Sequence, residues 1–429
     1  MYTTITRENI NEIRNPSFRN YASRYLDIED QTNRLIESFG LPFTKALSSI
    51  TKEEIIKDKV KSRNEKKSLY LNWVSPACRA CKKAEKSLTT FISFKCPKNC
   101  YFCFNPNQEN FTAFRVKEHD PVFELNQHLE HGERFDHIAL TGGEPLLHPT
   151  KTVEFFQFVH EKSKGSYTRL YTAGNLLTPD ILRSLKEAHL NEIRFSIKQE
   201  ETEDQIENLY RIMKMAKEYI PTVVVEMPVI PGTLEQMKSI LHRLDEIGVN
   251  GINLLEFCFP MHNAEEFNKR GFELKFPPYE TYYNYWYAGG LGVHKSEEEC
   301  LQLLQYASEQ SFNLGVHYCS LENKHTGQLY QQNKNVRLSK LYSFSNTDYF
   351  IKSAKVFGKD KEIVRKRLQK HGISYFEQNE MYDCLQFPLS AIKYLKGTPV
   401  DIAICSFVSE VQGKEEILRE VKVQWTIPK

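Results

Sequence analysis

Long apolar runs are missing from this chain of 429 residues. No stretch approaches the roughly eighteen apolar residues of a membrane helix, and the opening MYTTITRENINEIRNP is polar where a secretory signal carries an apolar core. The expectation is a cytoplasmic protein with no membrane partner. An excess of one charge sign is missing too. There are 57 Lys and Arg against 55 Asp and Glu, a formal +2, so nothing in the overall field draws the chain to nucleic acid or lipid. Repeats of solenoid length and low-complexity tracts are absent. A content of 40% apolar and 12% aromatic residues excludes a disordered or fibrous class. Cysteine is sparse, ten in all. In a cytosolic chain these stay reduced, so any clustering speaks of metal or redox chemistry rather than of disulfides.

Cys96, Cys100 and Cys103 nevertheless crowd into one stretch, FKCPKNCYFCF, and the surrounding pattern says where that stretch sits. Residues 1–67 are polar with scattered apolar positions and read as a segment of short helices ending at Gly40. From Ser68, β-branched and aromatic runs alternate with amphipathic helical stretches, the signal for βαβ units on a parallel sheet. Strands are expected in SLTTFISF, FDHIAL, YTRLYT, EIRFSI, TVVVEMPV and GINLLEF. Helices are expected in TKTVEFFQFVHEK, TPDILRSLKEA, EDQIENLYRIMKMAKEY and TLEQMKSILHRLDEIG. Six units favour an α/β fold with a partial (β/α)6 TIM-like barrel over residues 68–344, with its chemistry at the carboxyl ends of the strands. Beyond it, residues 345–429 read as β-α-β-β-α-β, a small α/β, ferredoxin-like C-terminal domain. Residues 51–90 carry eleven Lys and Arg against five Asp and Glu. That excess reads as a solvated face or as a docking patch for an acidic peptide, an electron donor or RNA.

The cysteine triplet follows SLTTFISF directly, on the loop at the carboxyl end of the first strand. Three thiolates leave a four-ligand zinc or iron–sulfur shell one short, so one metal position falls to a non-protein ligand. A zinc loop completed by a distant His or Cys is the alternative. CPKNCYFC resembles the C-x3-C-x-aromatic-C signature of the radical S-adenosylmethionine (SAM) superfamily. The resemblance implies a 4Fe-4S cluster on Cys96, Cys100 and Cys103, chelated at its fourth iron by SAM. It also implies an electron donor such as flavodoxin or ferredoxin, and reductive cleavage to a 5′-deoxyadenosyl radical that abstracts hydrogen from substrate. Phe102 takes the aromatic place beside the adenine. TGGEP, ending the second strand, resembles the family's GGEP stretch: Gly142 and Gly143 permit close backbone approach, Pro145 closes the motif, and Glu144 pairs with the cofactor's amino group. Asn175 in YTAGN, then Ser196 and Lys198 in EIRFSIK, become cofactor contacts. EMPVIPG resembles the late-strand segment of glycyl-radical-enzyme activases and adds Val229 and Gly232.

Cys78 and Cys81 in SPACRAC have a spacing that suits a shared metal. Cys319, in the polar stretch VHYCSLENKHTGQ, joins them as a candidate ligand of an auxiliary iron–sulfur cluster or metal ion, with His317, Cys384 or substrate as the fourth. Free thiols are the plainer reading. Cys258, Cys300 and Cys405 read as core. The expected function is radical SAM modification of a peptide or protein. A radical SAM enzyme of cofactor or secondary metabolism and a non-catalytic metal-binding interaction protein are the alternatives. No catalytic residue beyond the cofactor site is assigned.

Overall fold

All six expected strands form, and their residues explain why: Ile138, Leu140, Leu170, Ile193, Val223, Val225, Ile252 and Leu254 are all fully buried, as strands packed on both faces require. The computed structural model describes residues 2–44, 48–56, 59–81, 86–277, 290–413 and 415–428. The strands are β1 (Ser87–Phe91), β2 (His137–Thr141), β3 (Tyr167–Thr172), β4 (Glu192–Phe195), β5 (Thr222–Val229) and β6 (Gly251–Glu256). They lie side by side in chain order, every pair parallel. Such an arrangement needs a crossover helix after each strand. These helices include Pro121–Glu130, which the sequence reading did not single out, then Pro149–Lys162, Pro179–Glu187, Glu203–Ala216 and Leu234–Ile247.

The sheet continues past the expected sixth strand. β7 (Gly315–Cys319) pairs parallel with β6, and an antiparallel hairpin, Ser68–Leu71 with Lys61–Arg63, extends it further. The stretch read as polar and motif-like after the barrel therefore begins as a seventh strand, buried along its whole length, and continues as the helix Leu321–Asn333. Alternation hid it: His317 and Cys319 share one face while Val316 and Tyr318 fill the core. Among the described residues β1 and Lys61–Arg63 each pair on one side only, so the sheet is an open partial barrel.

Contacts divide the chain into two units, one holding Met1–Gly40 with Thr326–Lys429, the other Leu41–Pro278 with Trp286–His325. The division falls at 40 and 325 rather than at 67 and 344. The hairpin at 61–71 belongs to the parallel sheet, while the chain's beginning joins the C-terminal sheet. There Thr3–Thr4 pair with Trp425 and Gln424. Asn15 caps a single helix, Pro16–Glu37, where several short ones were expected. Its side chain also donates to Phe357 O and Asp360 Oδ2 at 2.9 and 2.7 Å, and Phe18 stacks on Phe357. The C-terminal segment itself differs from β-α-β-β-α-β. Leu389–Leu395 is a 3-10 helix, and the chain ends in a long hairpin of two strands, Ile402–Gln412 and Glu415–Thr426.

Candidate cofactor site at the carboxyl ends of β1 to β4

The cysteine loop is held by the glycine turn after β2. Gly143 N donates to Ser93 O and Glu144 N to Lys95 O, both at 2.9 Å, just before Cys96. Just after Cys103, Asn105 Nδ2 donates to Gly142 O at 2.6 Å. Strand register explains the meeting, because Phe91 and Thr141, the last residues of β1 and β2, are directly paired. Only glycine fits. A Cβ on Gly143 would stand 2.1 Å from Lys95 O, and Gly142 has φ +105° with Ser93 O 2.8 Å from where a Cβ would be.

Glu144, the expected partner of the cofactor's amino group, faces the end of β3. It is buried, its Oε1 accepting from Leu146 N at 3.0 Å and Thr172 Oγ1 at 2.8 Å, and its Oε2 from Ala173 N at 2.7 Å. Burial pushes its carboxyl above the ordinary range in spite of these bonds. In this structure it ties the β2 turn to the end of β3. Pro145 starts the 3-10 turn Pro145–Leu147, and its carbonyl accepts from Thr152 Oγ1.

On the loop, Cys96 is exposed and Cys100 and Cys103 are half-buried. Burial raises the thiols of Cys96 and Cys103, and backbone N–H groups of Lys98 and Asn105 partly offset it. Such donors suit thiolate sulfur. Cys96, Cys100 and Lys198 all act electrostatically on Cys103. Phe102 lies edge-on to Tyr101 and Phe257, and Lys198 Nζ sits 5.6 Å from its ring centroid while donating to Ser196 Oγ at 2.7 Å. The structure thus brings Phe102, Ser196 and Lys198 together. Asn175, turned so that both ends of its amide are satisfied, donates to Ala173 O and accepts from Lys98 Nζ at 3.1 Å. Val229 is fully buried in β5. Gly232 N donates to Glu299 Oε1 at 2.6 Å, with open space where a Cβ would be.

Several contacts escaped the sequence. His262 Nε2 donates to Cys103 O at 2.7 Å, Asn263 Nδ2 to Tyr101 O at 3.0 Å and Asn107 Nδ2 to Pro260 O at 2.7 Å. These tie the loop to the chain after β6. Only the asparagines of FNPNQ, next to the triplet, hinted at this.

The second group of cysteines lies on the inner face of the sheet. Cys78, on the short helix Pro76–Ala80, accepts from Asn253 Nδ2 at 3.3 Å and Arg194 Nη2 at 3.4 Å. Burial alone would raise its thiol, but Arg194 and His317 outweigh that and bring it to about 6. Arg194 is itself buried between Glu192 and Glu226. Burial raises Cys319 to about 12 and Cys258 to about 11. His317, offered as a fourth ligand, has both ring nitrogens engaged, Nδ1 with Asn253 and Nε2 with Ser68, each at 2.8 Å. Cys384, the other candidate, lies in a buried strand of the other unit. Cys300 and Cys405 are fully buried, as expected. Among the described residues, no three His, Cys, Asp or Glu side chains stand close enough together to hold a metal ion as they are.

A sheet of parallel βα units with a thiol loop after β1 and a glycine turn after β2 defines a cofactor-binding α/β domain. Residues 90–244 match the family model of the radical SAM superfamily. This chain is 27% identical over 249 residues to a Methanocaldococcus jannaschii protein that bears the name of a glycyl-radical enzyme activating enzyme. The match covers 56% of this chain and 62% of that protein. Among solved structures it is similar to Streptococcus suis SuiB bound to precursor peptide SuiA, at 13% identity and a TM-score of 0.40 over 75% of this chain and 67% of that one. It is also similar to anSMEcpe with bound AdoMet, at 18% identity and a TM-score of 0.32 over 41% and 52%. The chain thus spans less than two thirds of the curated relative's length. Among the described residues no helix is long and apolar enough to cross a membrane.

Proposed function

We propose that this protein is a radical SAM enzyme whose 4Fe-4S cluster is held by Cys96, Cys100 and Cys103 and whose substrate is a peptide or protein. When bound, the cluster and SAM supply a 5′-deoxyadenosyl radical able to abstract hydrogen from carbon. One observation carries the reading: the loop bearing three sulfurs is fastened at both ends to the glycine turn, while its own thiols stay unpaired with one another. The residues fit the group. Two backbone N–H groups favour the thiolate forms of Cys96 and Cys103, and three thiols leave one iron for SAM.

The chain's own side chains do the rest. Lys198, half-buried above Phe102, offers an ammonium to a carboxylate or ribose oxygen, and Phe102 offers a ring for a base to lie against. Lys98, bonded to Asn175 and paired with Glu201, places a second cation beside the loop. Glu144, bonded to Thr172 and Ala173, orients the turn and remains the carboxylate proposed to pair with the cofactor's amino group. Support for a polypeptide substrate comes from the name of the M. jannaschii relative, an enzyme that activates another protein, and from the antiparallel sheet that this chain carries in a unit of its own. Anaerobically reconstituted protein with dithionite and SAM should form 5′-deoxyadenosine, and candidate peptides should raise its yield and change mass. Turnover of free metabolites alone would sink the polypeptide reading.

A further inference from the structure

The glycine turn fastens the ends of the cysteine loop, and three charged contacts grip the side chains between its cysteines. All three come from the turn after β4, residues 198–201, or from a residue paired with it. Lys198 sits over the ring of Phe102. Lys98, between Cys96 and Cys100, is ion-paired with Glu201. Arg270 lies 4.0 Å from the centroid of the Tyr101 ring and pairs with Glu200 at 3.0 Å. The turn is itself anchored. Glu201 N donates to Lys198 O at 3.1 Å, Gln199 Nε2 to Thr233 Oγ1 at 3.0 Å, and Gln236 Nε2 to Gln199 O at 3.2 Å.

Exposure ranks the two ion pairs. The side chains of Arg270 and Glu200 are 32% and 56% exposed, where water and salt leave a pair worth little. Those of Lys98 and Glu201 are 18% and 13% exposed, so their attraction is screened far less. Lys98 Nζ also donates to Asn175 Oδ1 at 3.1 Å, while the Asn175 amide nitrogen donates to Ala173 O. Ala173 N is in turn bonded to Glu144. One ammonium thus ties the loop after β1 to the segments after β3 and β4.

Position makes this pair more than a brace. Lys98 stands two residues from Cys96 and two from Cys100, so its charge lies beside whatever those sulfurs hold. An added electron brings negative charge to a cluster, which a nearby cation stabilises and a nearby carboxylate opposes. We infer that Lys98 and Glu201 form a positioning pair that holds the middle of the cysteine loop and sets how readily its cluster takes up an electron. The inference rests on the proposed cluster at Cys96, Cys100 and Cys103. Lys98 supplies the charge that favours the reduced state, Glu201 moderates it, and Asn175 keeps the ammonium on the loop.

The test compares full-length wild type with Lys98→Met, Lys98→Arg and Glu201→Gln. Each is reconstituted anaerobically with iron and sulfide, and the midpoint potential is read by spectroelectrochemical titration without SAM. Lys98→Met should lower the potential and Glu201→Gln should raise it, while Lys98→Arg stays near wild type. Opposite signs separate a charge effect from simple loosening of the loop, which moves both variants the same way. Shifts of one sign, or no shift, overturn the inference. A second measurement needs no cluster: limited alkylation of the metal-free proteins, read by mass spectrometry, with the fully buried Cys300 as the internal check on folding. Cys100 should react severalfold faster in Lys98→Met and Glu201→Gln than in wild type while Cys300 stays protected. Equal Cys100 rates in all four proteins overturn the inference as well. Wild type that takes up no iron sinks the proposed function, and the alkylation rates then decide whether the pair holds the loop.

Discussion

Gly143→Ala should unfasten the cysteine loop, and the structure sets the scale. The added Cβ would stand 2.1 Å from Lys95 O, 2.6 Å from Lys95 C and 2.7 Å from Phe94 C, all backbone atoms that cannot rotate away. Relief requires the two turns to separate by more than an ångström. That breaks the bonds Gly143 N to Ser93 O and Glu144 N to Lys95 O, worth about 0.5–1.5 kcal/mol each. Overpacking adds about 1–3 kcal/mol, for a total of about 2–6 kcal/mol. Gly165→Ala is the control, a glycine with φ +92° and nothing within 4 Å of an added Cβ. It should cost only about 1–2 kcal/mol for the backbone alone. Urea unfolding gives both values, and iron per reconstituted chain reports the loop. Equal unfolding midpoints and equal iron for the two variants would refute the reasoning.

Arg194→Met strands Glu192 and Glu226 and should destabilise by about 3–5 kcal/mol; a melting shift no larger than that of a surface Arg variant would contradict this. Lys198→Met should weaken SAM binding roughly 10- to 100-fold, the worth of a charge-assisted hydrogen bond, read by equilibrium dialysis on reconstituted protein. Acid stability has its own signature. Glu297 is opposed by burial, but Lys275 and Lys52 hold it at about 2 while its neighbour Glu256 is raised. A depressed folded-state pKa gives stability above the unfolded value that is lost as pH falls, so Glu297→Gln should flatten the loss of stability between about pH 4.5 and 2. An unchanged acid limb would count against the pairing.

Much of the parallel sheet was legible. Runs such as TVVVEMPV and GINLLEF are buried on both faces and bounded by helices with clear caps, so propensity and burial agreed. β7 was not, because GVHYC places a histidine and a cysteine on the sheet's inner face, where polar side chains pair with Asn253 and Ser68 rather than with water. The N-terminal helix was legible as helix, but its membership in the C-terminal sheet's unit depends on Asn15 reaching Phe357 and Asp360, contacts no local pattern carries. At the site, the cysteine and glycine motifs declared themselves by spacing. The role of Glu144 did not, since its partners Thr172 and Ala173 come from the next strand. His262 and Asn263 lie more than 150 residues from the loop they brace.

The central claim is that Cys96, Cys100 and Cys103 hold the cluster at which SAM is cleaved. Wild-type protein and the Cys96/Cys100/Cys103→Ala variant should be reconstituted anaerobically side by side, then assayed for iron and for dithionite-dependent 5′-deoxyadenosine. The account predicts that the variant loses about four irons and all 5′-deoxyadenosine. Equal iron in both proteins, or cleavage of SAM by the variant, would contradict it.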